Sequence, residues 1–155
     1  MMGVRRKGRE FALKMLYSLQ VPVADIHAVL DDFWGNFRFR DDMLGEALDD
    51  ADEQVPAEVR RFAEQILIGI VDNLAAVDAA IGKQARNWSL DRMARVDLSI
   101  LRLGTYELLF CPETPASVIL NEAVEIAKRY GTKESPSFVN GILDQVAQSH
   151  RKRAE

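Results

Sequence analysis

Four cations fall within five residues near the start of the chain: Arg5, Arg6, Lys7 and Arg9, with Gly8 between them. Such a cluster can contact several phosphates of a nucleic acid, and each contact releases condensed counterions. If the segment is helical, Arg5 and Arg9 lie one turn apart on one face. A solvated basic end is the plainer alternative. A second candidate is the run Tyr130-Gly131-Thr132-Lys133-Glu134-Ser135-Pro136-Ser137-Phe138. It joins two aromatic rings to the start of a helix, whose free N–H groups bind phosphate while rings stack unpaired bases. Its alternative is an ordinary helix–helix turn with Phe138 in the core. A third is a face carrying Tyr17, Asp91 and Asp97, an acidic-aromatic surface suited to a basic protein partner. There the alternative is internal salt bridging to Arg92 or Arg95.

The residues that enzymes and metal sites need are not in place. The two histidines, His27 and His150, lie far apart, and neither has a ligand at metal-binding spacing. No glycine-rich phosphate loop or nucleophile elbow occurs. The paired acids Asp41-Asp42 and Asp49-Asp50 sit in a polar stretch, where solvation accounts for them. The reading is therefore a non-enzyme with no cofactor and no metal, acting through its surfaces. Cys111 is the only cysteine, which rules out an intrachain disulfide and favours the cytoplasm. No segment approaches the roughly 20 apolar residues of a membrane span. The net charge of −4 argues against a uniformly basic nucleic-acid binder. The distribution is dipolar: Arg5 to Arg9 and Arg151, Lys152 and Arg153 are basic, while Asp41 to Glu58 is rich in acids.

Helices must position these groups, because apolar residues recur at helical spacing and no strand-like alternation is present. The central stretch runs from Asn87 to Phe110, with Ser89 as a candidate N-cap and Cys111-Pro112 as its stop. Val96, Ile100, Leu103 and Phe110 share one sector, continued by Leu101, Gly104 and Leu108. Arg95, Ser99, Arg102 and Tyr106 form a narrow opposite stripe. A helix this apolar is a central one, packed on several sides. Asp97 and Glu107 fall inside the apolar sector, where a carboxylate needs a partner.

Around it, the pattern predicts a first helix over Arg5 to Leu19, with Ala12, Met15, Leu16 and Leu19 facing the core. A second begins near Asp25, an N-cap candidate, and buries Ile26, Val29, Leu30, Phe33, Trp34 and Phe37. Residues 38–54 read as an acidic excursion with a short helical piece near Met43 to Leu48. Pro56 opens a third helix, and a fourth covers about Ala75 to Ala85. After the central helix, Thr114-Pro115 opens a sixth, which Gly131 ends. Ser135-Pro136 opens the last, and the basic tail after His150 is expected to fray. The result is an all-α bundle of about seven helices in one 155-residue domain.

Arg5-Arg6-Lys7-Gly8-Arg9-Glu10 followed by Ala12-Leu13 and Leu16-Tyr17 resembles the opening of the bacterial transcription antitermination factor NusB family. Val96-Asp97, Ile100-Leu101-Arg102-Leu103 and Tyr106-Glu107-Leu108 are similar to its centre. Asn121-Glu122-Ala123, Glu125, Ala127-Lys128-Arg129, Gly131, Ser135, Phe138-Val139-Asn140-Gly141 and Leu143-Asp144 resemble it most specifically. The resemblance fails between about Arg38 and Val55. It implies two small helical subdomains, here about 1–85 and 86–150. It also implies binding of boxA-type single-stranded RNA in ribosomal RNA leaders, with NusE, a small-subunit ribosomal protein, and then action on elongating RNA polymerase in an antitermination complex. By position, Arg5, Arg6, Lys7, Arg9, Tyr130, Glu134 and Phe138 would face RNA, and Tyr17, Asp91 and Asp97 would face NusE. Glu134 stands where aspartate is frequent. The resemblance makes Asp97 a docking carboxylate, and Glu107 is expected inside with an arginine or a backbone donor.

Two other readings compete. The same module occurs in ribosomal RNA cytosine methyltransferases, and a purely structural homo-oligomer would bury its amphipathic faces against itself. Some family members dimerise, and a homodimer could mask the arginines.

Overall fold

Helical periodicity becomes seven α-helices and one short 3-10 turn among the described residues, which in this computed structural model are 3–19, 21, 23–36, 55–86 and 88–151. The acidic excursion and Phe37 lie outside them, as do Lys152 and Arg153. By packing, the chain divides into two compact units, Met1–Val71 and Asp72–Glu155.

The first unit holds α1 (Val4–Ser18), α2 (Ile26–Asn36) and most of α3 (Ala57–Asp72). Asp25 caps α2: its Oδ1 accepts from the N–H groups of His27 (3.1 Å) and Ala28 (3.3 Å). The stripe of α3 is buried as its spacing requires, with Val59, Ala63, Ile66, Leu67 and Ile70 inside. Burial on α1 goes beyond the expected stripe and is continuous from Gly8 to Leu16. Lys14 is therefore covered, and its ammonium lies 5.3 Å from the centre of the Phe11 ring. Trp34 ties the elements together. Its ring is 5.5 Å from Phe11, its Nε1 donates to Glu64 Oε2 at 2.7 Å, and Arg60 lies 5.0 Å over it.

The second unit holds α4 (Leu74–Gln84), the 3-10 turn (Leu90–Arg92), α5 (Arg95–Phe110), α6 (Ala116–Tyr130) and α7 (Ser135–Arg151). The helices α5, α6 and α7 pack each against the other two, and α4 lies on α5 and α7. The central stretch is thus not one helix. Ser89 precedes the 3-10 turn without a side-chain cap bond, and Met93 and Ala94 are extended before α5 begins. The expected polar stripe of α5 is also partly covered, because α4 lies over it. Arg102 donates through Nε and Nη2 to both oxygens of Asp78 on α4, each at 2.9 Å, and buried Ser99 donates to the Arg95 carbonyl at 2.9 Å. The Arg102–Asp78 pair, with Gln84 donating to Ser149 on α7 at 3.1 Å, joins α4 to the second unit. The division by packing falls at 71/72.

Glycine sets the closest approach. A Cβ on Gly104 would lie 2.6 Å from Leu143 Cδ1, so Leu143 of α7 seats where a side chain at 104 would otherwise stand. Phe110, assigned to the apolar sector, is 42% exposed at the last residue of α5, where the chain turns away. It stacks on Tyr106 at 5.4 Å, and burial, with Cys111 and Glu107 nearby, raises the Tyr106 phenol above its usual value. Glu107 is inside, at 2% exposure.

The end of α5 is closed by α7. Arg151 Nε donates to the Leu108 carbonyl (3.0 Å), Nη2 donates to the backbone carbonyls of Glu107 (3.1 Å) and Cys111 (2.7 Å), and Nη1 donates to the Thr114 carbonyl. The basic tail thus begins with an ordered capping residue. Arg151→Ala is expected to cost about 2–3 kcal/mol of stability, since the carbonyls lose a charged donor. Arg151→Lys should recover less than half of that stability, because an ammonium lacks the planar fork. Urea denaturation followed by circular dichroism measures both.

Candidate nucleic-acid interface

The cations of α1 sit where a helix tolerates them least. A helix N-terminus carries partial positive charge and favours acids. Here the first turn has no acid, Gly3 supplies no side-chain cap, and Arg5, Arg6, Lys7 and Arg9 occupy the first turns. Helix stability does not explain this choice, whereas an external anion would complete it.

The same segment is ordered from beneath by Phe62 of α3. The guanidinium carbons of Arg5 and Arg9 lie 5.8 and 5.4 Å from its ring centre. Cations over aromatic faces are attracted by the ring quadrupole. Gly8 lies between those arginines, and a Cβ there would come within 2.5 Å of Phe62 Cδ2. Its bare backbone thus lets the ring reach α1 with one arginine on either side in sequence. The four cations differ in exposure: Arg5 is open, Arg6 and Lys7 are half-buried, and Arg9 is 4% exposed. Sequence reasoning assigned the arginines but missed Phe62, which spacing alone places on the buried side of α3.

In the second unit, the junction between α6 and α7 brings together the other three residues assigned to RNA. Tyr130 closes α6, Glu134 lies exposed in the turn, and half-buried Phe138 is one turn into α7, its N–H donating to the Glu134 carbonyl at 3.1 Å. Arg129 lies 5.5 Å over the Tyr130 ring. Ser135 does not leave its hydroxyl at the helix end. It is buried, and its Oγ accepts from the Thr132 N–H at 2.9 Å, drawing the turn closed. Gly131 permits this, because a Cβ would sit 2.5 Å from the Ser135 side chain. Phe138 is not a plain core residue: its ring meets Trp88 at 5.8 Å and 73°, edge to face.

Asp91 and Asp97 flank the break before α5. Asp91 is exposed in the 3-10 turn, and Asp97 is half-buried in the first turn of α5. The Asp97 Oδ1 atom is buried with no hydrogen-bond partner among the described residues. A buried acceptor left unpaired costs about 1–3 kcal/mol, unless a docking group supplies a donor. Tyr17 lies half-buried in the last turn of α1, in the other unit.

Comparison with known proteins agrees with this architecture. A protein called transcription antitermination protein NusB from Syntrophotalea carbinolica is 56% identical over 149 residues, covering 96% of this chain and 95% of that one. The solved structure of T. maritima NusB superposes with a TM-score of 0.76 at 35% identity, covering 99% of this chain and 97% of that one. At 21% identity, a crystal structure of antitermination factors NusB and NusE in complex with dsRNA shares the fold, with a TM-score of 0.74 over 96% of this chain and 99% of that one. The NusB family matches residues 6–148. On the match across nearly all of its length, the chain belongs to the NusB family.

Proposed function

We propose that this chain is a transcription antitermination factor that binds boxA-like RNA together with NusE and acts within an RNA polymerase antitermination complex, in the cytoplasm. The observation that carries the reading is the cation cluster on the uncapped, acid-free start of α1, held by Phe62. Positive side chains added to a positive helix end make a phosphate site. The relative solved with NusE and dsRNA, and the name of the 56% identical protein, support the same assignment.

In this reading Arg5, Arg6, Lys7 and Arg9 take the RNA backbone. Tyr130 and Phe138 take unpaired bases, and Glu134 accepts from a base amine. Arg9, nearly covered, works chiefly by holding its place beside Phe62, and Arg5, Arg6 and Lys7 supply the accessible charge. Tyr17, Asp91 and Asp97 face NusE. Asp97 offers an oxygen that no group of the described chain uses, so a basic partner would satisfy it.

Neutralising Arg5, Arg6 and Arg9 together should weaken binding of a boxA-like RNA in a gel shift against a scrambled control. It should also flatten the salt dependence, by roughly 0.7 in log–log slope for each phosphate that is no longer neutralised. Arg9→Ala alone should in addition lower the melting temperature, because a buried stem and its packing on a ring go with it. An unchanged slope in the triple variant would remove the α1 cations from the interface.

Asp97→Lys should weaken NusE binding by about 2–5 kcal/mol, as expected for a buried pair, and leave the RNA salt slope alone. Isothermal titration with purified NusE reads this directly. Equal affinity for wild type and variant would take Asp97 out of the docking surface.

A further inference from the structure

We propose that Trp88, together with Phe138, forms a stacking site for one unpaired nucleobase, adding a residue to the RNA surface that the reading above does not contain. The inference rests on that reading and extends it.

Trp88 is 51% exposed, more than any other large apolar side chain described. An indole that open leaves on the order of 100 Å² of aromatic surface in water. Core packing does not account for it, and the residue does not float. The Trp88 N–H donates to the Ala85 carbonyl at 3.0 Å. The following 3-10 turn is closed by the Arg92 N–H on the Ser89 carbonyl (3.0 Å) and the Met93 N–H on Leu90 (3.2 Å). Buried Met93 and the approach of Leu90 to Gly82 of α4 pin the turn to the helices. A ring displayed on a fixed support gives up little freedom when a flat ligand covers it.

The ring also has a neighbour of the right kind. Its meeting with Phe138 is edge to face, which leaves ring surface uncovered and makes an aromatic corner. Phe138 stands one turn into α7, directly after the turn that holds Lys133 and Glu134. Exposed Arg86 precedes Trp88 by two residues, and exposed Arg92 follows in the 3-10 turn. Aromatic faces bordered by cations are how proteins hold single-stranded nucleic acid, each base stacking while charges follow the backbone. Two acids share the area, Asp91 and Glu134, both exposed. A base amine can donate to a carboxylate, so Glu134 gives the corner a way to read an edge as well as a face.

Fluorescence tests this, because the chain has only two tryptophans. Trp34, the other, is held by Glu64 in the first unit. The Trp34→Phe protein isolates Trp88 emission. Should that variant fold poorly, the difference between wild type and Trp88→Phe isolates the same signal. A boxA-like single-stranded RNA should quench Trp88 saturably, at the concentrations where the gel shift saturates. Trp88→Ala should weaken RNA binding about 5- to 100-fold, the range expected for removing one base–aromatic stack. Trp88→Phe should retain most of the affinity. The salt slope should be the same in wild type and Trp88→Ala, because the same phosphates stay neutralised.

RNA binding equally tight in wild type and Trp88→Ala, with Trp88 emission unmoved, overturns the stacking site, while weakened binding on neutralising Arg5 and Arg6 still upholds the RNA reading. A wild-type protein that binds no RNA, with or without NusE, overturns both. Quenching by NusE alone, or by raising protein concentration without RNA, assigns the ring to a protein interface and ends the proposal.

Discussion

Arg151 holds the end of α5 against the end of α7, and the second unit depends on that junction. The last carbonyls of any helix lack internal partners, and those near the middle of a bundle cannot rely on water. Here one guanidinium reaches Glu107, Leu108, Cys111 and Thr114 together. A positive group at the negative end of a helix is favourable in its own right. Because the donor stands in the final turn of α7, the bond network also fixes how far α7 extends along α5. Gly104 fixes how closely the same two helices approach, through Leu143. Closeness at one point and register at another define the α5–α7 pair, and the Tyr130–Phe138 corner is carried at the opposite end of α7.

The first unit uses a comparable device for its charged end. Gly8 removes a side chain so that Phe62 can approach α1, and the ring then receives Arg5 and Arg9. Long cationic side chains ordinarily lose much freedom on binding. Two of these are restrained before any ligand arrives, so less remains to be lost. The cluster is thus better described as a positioned surface than as a mobile basic tail.

The helices were legible because their apolar spacing is regular. Apolar residues at helical spacing along α3 and α7, such as Ile66 with Ile70 and Val139 with Leu143, are buried, and Asp25 caps α2 as its type and place suggest. What escaped the sequence was mostly what depends on a partner element. The gap at Met93 and Ala94 is invisible to periodicity, since both residues suit a helix as well as a break. Ser99 looked solvent-facing until α4 covered that side of α5. Arg151 looked like part of a frayed basic end, because its targets are carbonyls about forty positions away in sequence. Of the candidate site, residue types and spacing disclosed the cations and the aromatic junction, but Phe62 and Trp88 owe their significance to neighbours across a fold. The resemblance to known family members supplied the proposed roles, which composition alone could not.

A formal charge of −4 sets the chain as a whole against a polyanion. Net charge, however, governs the field far from the molecule, and at physiological salt that field decays over about 8 Å. A phosphate within contact distance of α1 senses Arg5, Arg6, Lys7 and the helix N-terminus, and screening hides acids farther away. On the proposed assignment, a basic companion would be steered to Asp91 and Asp97 by the sign of charge that repels RNA. In the proposed reading, segregating charge would let one chain of modest size discriminate between two partners of opposite sign. The constraint it imposes is local: each patch must be kept from neutralising itself, and the Phe62 ring helps by holding Arg5 with an uncharged face.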